Sequence, residues 1–114
     1  MLIKLNQKFE DLKGENFYTV DQATQKKIDM TFRSALIVSS LSTDHQESDG
    51  VKKFKAYELA KRITQAENDV EVTAEDIALI KKNGAKAFGT EAYGTMCELL
   101  EGCAHQTNVK KIKG

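Results

Sequence analysis

The sequence predicts a mostly α, α+β domain: a short N-terminal strand region followed by about four short helices in one compact unit. Three observations carry that reading. Residues 2–30 hold brief β-branched and aromatic stretches separated by polar turns, and residues 31–102 hold apolar residues at helical spacing. Two of the periodic runs follow one another directly between Val70 and Gly102. With 114 residues, 40% hydrophobic and 30% charged, the chain suits a single domain with a core of its own. The expected division is strand and turn over 1–30, helix over 31–102 (one globular domain, 1–102) and a flexible basic tail over 103–114.

Met1 to Asn6 alternates as a short strand should, with Leu2 or Ile3 and Leu5 apolar. Phe9 and Leu12 read as two anchors in a polar connector that ends at Lys13-Gly14. Phe17–Val20 favours a strand, Asp21–Gln25 turns the chain, and Lys26–Met30 returns, so residues 2–30 are expected to form a two- or three-stranded sheet leaning on helices. Thr31 caps a helix to Ser42, with Phe32, Ala35, Leu36, Val38, Ser39 and Leu41 on one broad face; its length argues against the alternative, a buried strand. Thr43–Gly50 has no apolar residue and three acids, Asp44, Glu47 and Asp49, as a solvated loop requires.

Val51–Asn68 is the next helix, with Phe54, Tyr57, Ala60 and Ile63 as its apolar set, Leu59 and Ala66 flanking. Val70–Val72 is a brief extended link. Thr73, with Asp76 three residues on, caps a helix to Phe88 on which Ile77, Ile80 and Ala87 share a side. Gly89 suits a left-handed terminator, and Thr90 repeats the cap for a helix to Glu101 carrying Tyr93, Met96, Cys97 and Leu100. The rest of the chain is expected to pack on this corner. Gly84 costs its helix about 1 kcal/mol against Ala and marks a kink or a close approach. The expected core is Phe32, Leu36, Phe54, Tyr57, Ile63, Ile77, Ile80, Tyr93, Met96 and Leu100.

Basic and acidic residues both number 17, so no global field recruits nucleic acid or an anionic membrane. Locally, the Val51–Asn68 helix and the Lys110, Lys111, Lys113 tail are basic, while Thr43–Gly50 and Val70–Gly102 are acidic. Two cysteines make no disulfide framework, no charged-then-apolar leader opens the chain, and no apolar run is longer than Ala35–Val38. The expectation is a cytoplasmic protein without a membrane segment.

Cys97, Cys103 and His105 form C-x5-C-x-H, three ligand types for zinc, yet Cys97 falls on an apolar helix face where a thiol behaves as a small hydrophobe. His45 stands in the acidic loop without ligand spacing. That loop fails as an EF-hand, since Asp49 falls where glycine is needed when counting from Asp44. No G-x-S-x-G, P-loop or G-x-G-x-x-G signature is present. No catalytic, cofactor or metal residue is therefore assigned, and the chain is read as a non-enzyme. Lys52, Lys53, Lys55, Lys61 and Arg62 remain as a patch able to meet phosphates or acidic protein surface, though a charge run is more often a solvated face.

The stretches KFKAYELAKRI, VEVTAEDIALIKK and AYGTMCELLEG resemble small proteins encoded by tailed bacteriophages and prophages. The resemblance covers roughly Val51–Gly102, with a looser echo over Leu2–Leu41. It implies a viral origin, a helical fold and work in the host cytoplasm, and it offers no catalytic residue. The chain departs from that pattern in CAHQTNVKKIKG and in Asn83-Gly84. The resulting expectation is a noncatalytic accessory protein that binds protein, either itself as a homodimer or a host or viral partner. The candidate surface is Lys52, Lys53, Lys55, Lys61, Arg62, Phe88 and Tyr93. The alternative is a small nucleic-acid-binding regulator using the basic helix and the tail lysines.

Overall fold

A computed structural model describes residues 1–43 and 48–104. The element order is β1 (Leu2–Lys4), β2 (Tyr18–Val20), β3 (Lys27–Asp29), α1 (Phe32–Leu41), α2 (Gly50–Gln65), β4 (Asp69–Glu71), α3 (Ala74–Ala87) and α4 (Thr90–Ala104). This is the expected compact α+β domain of short strands and four helices. Asp44, His45, Glu47, His105 and the tail lysines lie outside the described residues. Cys103 belongs to α4, which runs past the end expected for it.

The strands do not form the single N-terminal sheet. β1 pairs antiparallel with β4, Ile3 opposite Val70, and β2 pairs with β3 as a separate ribbon, Thr19 opposite Ile28. The extended link between α2 and α3 thus becomes a strand, because Leu5 N–H donates to Asn68 O at 2.8 Å and Val72 N–H to Met1 O at 2.8 Å, prolonging the ladder at both ends. Ile3 and Val70 point inward from it. The β2–β3 ribbon is exposed along its length and is tethered through Phe17 and Met30, which pack on the core. Phe9 is buried against Phe17 with ring centroids 4.7 Å apart. Leu12, the other expected anchor, is 90% exposed; its backbone N–H instead donates to Glu91 Oε2 at 2.7 Å, pinning the connector to the first turn of α4.

The organising element is α1 rather than the α3–α4 corner. It packs most extensively on α2 and α3 and buries Phe32, Ala35, Leu36, Ser39 and Ser40. Thr31 caps it as expected: its hydroxyl accepts from Ser34 N, and Ser34 Oγ accepts from Thr31 N. Val38 and Leu41, placed inward by the sequence, are exposed, because Ser39 and Ser40 take the inner positions at that level. Against this surface α3 brings Gly84, where a Cβ would lie 2.7 Å from Met96 Cε and 2.9 Å from Ser39 Oγ. The close approach expected of that glycine is real, and Ser39 Oγ donates to Met96 Sδ at 3.2 Å beside it. Ala87, expected on the apolar side, is exposed, the buried positions of α3 being Ile80, Asn83 and Gly84.

Thr73 and Asp76 form the reciprocal cap at α3, with nitrogen-to-oxygen distances of 2.9 and 3.1 Å. The α3–α4 joint departs from expectation. Gly89 does not have a positive φ, Phe88 is extended at φ −122° and ψ 153°, and Tyr93 N–H donates to Gly89 O at 2.9 Å, so Thr90 is already helical rather than a cap. An extended residue followed by a fresh helix start turns the chain without left-handed backbone. α2 ends at Gln65 rather than Asn68, since the Arg33 guanidinium donates to the carbonyl oxygens of Ile63, Ala66 and Glu67 and gathers the last turn onto α1.

Candidate functional site

The phase of α2 decides what the molecule presents. Its buried residues are Ala56, Leu59, Ala60 and Ile63, an i, i+3, i+4, i+7 stripe. Phe54 and Tyr57, expected in the core, are 58% and 53% exposed. The two alanines let α2 lie close against α1, and a helix that buries this stripe turns residues 54 and 57 to its outer half. The rings stand 6.2 Å apart in a stacked pair. Val51, 65% exposed, precedes them one turn back.

This aromatic pair lines a groove of about 640 Å³ between α2 and the start of α3, together with Lys55, Glu58, Lys61, Arg62, Gln65, Thr73, Glu75 and Asp76. Tyr57 also borders a smaller recess of about 250 Å³ with Ile37, Leu41, Ala60, Lys61, Thr64 and Gln65, extending the apolar surface to α1. A third, of about 170 Å³, lies between Lys52, Lys55, Glu75, Asp76 and Leu79. The basic residues named from sequence are all exposed on α2, but they do not form a uniform positive field. Arg62 is engaged, donating from Nη2 to Asp76 Oδ2 at 3.1 Å and from Nη1 to Glu71 O at 3.1 Å. Its carboxylate partner belongs to the acidic Val70–Gly102 stretch, so part of the charge separation along the sequence closes within one chain. On the α2 side of the groove Glu58 stands among Lys55, Lys61 and Arg62, and Glu75 and Asp76 of α3 line its other side.

Phe88 and Tyr93 sit elsewhere, half-buried against the core at the α3–α4 joint. The structure does not bring them to the α2 groove. Around Tyr93 lie Cys97 and the Lys81–Glu101 ion pair, whose Nζ–Oε1 distance is 2.8 Å. Hydrogen bonding to Cys97, then desolvation, pushes the Tyr93 hydroxyl pKa up. The Glu101 hydrogen bond holds Lys81 protonated beyond its ordinary range. Cys97 is a half-buried free thiol on the helix face assigned to packing. Among the described residues no group of three or more His, Cys, Asp or Glu side chains is placed to hold a metal ion. No helix among them is long and apolar enough to cross a membrane.

No family model, curated protein or solved structure matches this chain. The distinguishing property of the α2 surface is large apolar side chains held outward by a rigid helix, next to charges of both signs. Sequence reasoning missed this because it grouped Phe54, Tyr57, Ala60 and Ile63 at a spacing of three. The small residues Ala56 and Ala60, four apart and joined by Leu59 and Ile63, were the available signal for the inner face.

Proposed function

We propose that this protein acts without catalysis, as a phage-type accessory protein working in the host cytoplasm and binding another protein through the outer face of α2. The observation that carries the reading is the exposed Phe54–Tyr57 pair beside the 640 Å³ groove. Exposed aromatic side chains on an ordered helix supply a large contact area with little conformational entropy to lose, and aromatics are enriched where protein surfaces meet. Leu41 and Val51 enlarge the apolar patch, and the mixed charges at its margin select a partner and its orientation. Phe88 and Tyr93 leave the proposed surface because they pack inward.

Lys55, Lys61 and Arg62 support the alternative of nucleic-acid binding less well, because Glu58, Glu75 and Asp76 share the groove with them and repel phosphate. The test compares wild type with the Phe54→Ser/Tyr57→Ser double variant in affinity capture from host and infected-cell lysates. A protein retained by wild type and lost by the variant, with unchanged circular dichroism, is the expected result. Equal retention by both, together with a mobility shift of DNA or RNA at low salt that the variant preserves, overturns the reading.

A further inference from the structure

Along the outermost line of α2 the residues are Val51, Phe54, Glu58, Lys61 and Gln65, separated by three, four, three and four positions. That alternation is the spacing of a coiled-coil seam, directly opposite the Ala56, Leu59, Ala60, Ile63 stripe that packs on the core. All five are exposed. Among the described residues, Glu58 and Lys61 have neither an ion pair nor a hydrogen bond, whereas Arg62 beside them is taken by Asp76 and Glu71. The groove lining holds three cations, Lys55, Lys61 and Arg62, and three carboxylates, Glu58, Glu75 and Asp76. A lining neutral in sum and of mixed sign is poorly suited to a polyanion or to a strongly charged peptide. It is suited to a copy of itself.

We propose that the occupant of this face is a second copy of the chain, docked by antiparallel pairing of α2 with α2 about a two-fold axis. This rests on the protein-binding reading of the same face and names its partner. Antiparallel seams place each three-four layer opposite the other type of layer. With the axis between residues 59 and 60, Glu58 stands opposite the partner's Lys61, and symmetry repeats the pair, so one interaction is made twice. Phe54 then lies opposite the partner's Gln65 and against the aliphatic stem of the partner's Lys61. Tyr57 closes the α1 side, where Ile37 and Leu41 continue the apolar surface. The charges set direction and register, and the apolar ring area provides the larger part of the affinity. In a parallel pairing Glu58 would stand against the partner's Glu58, which disfavours that arrangement.

Light scattering behind size exclusion, at low and high concentration, reads the mass of wild type, Glu58→Lys, Lys61→Glu and an equimolar mixture of the two variants. Wild type is expected to rise to twice 12.7 kDa. Each variant alone sets like charges opposite one another twice and is expected to associate roughly 10-fold more weakly. The mixture restores opposite charges in one arrangement, so native mass spectrometry should show a heterodimer in excess of either homodimer. Phe54→Ser, with unchanged circular dichroism, should remain monomeric. A wild-type monomer at every concentration, a dimer indifferent to both charge changes, or a mixture with no heterodimer preference each overturns the self-pairing. Capture of a different protein that Phe54→Ser abolishes would then leave the protein-binding reading standing while removing this one.

Discussion

Phe32 in α1 and Phe54 in α2 are the same side chain on neighbouring helices, and they end on opposite sides of the fold: Phe32 is fully buried and Phe54 is 58% exposed. α1 buries bulk. It places Phe32 and Leu36 inward and supplies Ser39 at the level where Gly84 of α3 comes close. α2 buries small and branched residues and holds its aromatics out. An apolar residue is committed to the interior only by the phase of its helix and the room its neighbours leave. The closed α1 surface is where stability resides, and the open α2 surface is where association is proposed, so substitutions should separate the two properties.

The greatest loss is expected at the closed surface. Leu36→Ala removes a fully buried side chain between packed helices and should cost about 2–5 kcal/mol in chemical denaturation. At concentrations where the wild type is monomeric, Phe54→Ala should change stability by no more than about 0.5 kcal/mol, as exposed positions do. A comparable loss at both positions would contradict the division. Arg33→Ala leaves three carbonyl oxygens at the end of α2 without their charged donor and should cost about 2 kcal/mol, with Arg33→Lys recovering only part.

Two glycines give a finer contrast. Gly84→Val drives methyl groups into Met96 and Ser39 and should destabilise by about 1–3 kcal/mol. Gly94→Ala, inside α4 with nothing within 4 Å of the added carbon, should stabilise by about 0.5–1 kcal/mol. The smallest effect concerns pH. Lys81 and Tyr93 both have raised pKa values in the fold, so both retain their protons longer folded than unfolded. Their contribution is complete below the unfolded values and is lost as pH rises through the folded ones, so melting temperature should fall above about pH 10. Tyr93→Phe should remove part of that alkaline slope, and an unchanged slope would assign it to other groups.

The sequence by itself determined the elements and many of their starts. Thr31 and Thr73 cap α1 and α3 because a hydroxyl acceptor followed three residues later by Ser34 or Asp76 is a local device, complete within four positions. The inward positions of Met96 and Leu100, and the crowded site of Gly84, were legible for the same reason: helical spacing and an out-of-place glycine are local signals. Only the tertiary structure decided which strand β1 would join, since Asp69–Glu71 lies far along the chain and its pairing with Leu2–Lys4 follows from how α2 and α3 are set on α1. It also decided the phase of α2. Two stripes were available on that helix, one aromatic and one small, and the small one won because Ala56 and Ala60 allow α1 to approach while Arg33 fixes the helix end. The outward Phe54–Tyr57 pair, and with it the candidate binding face, follows from that choice of packing.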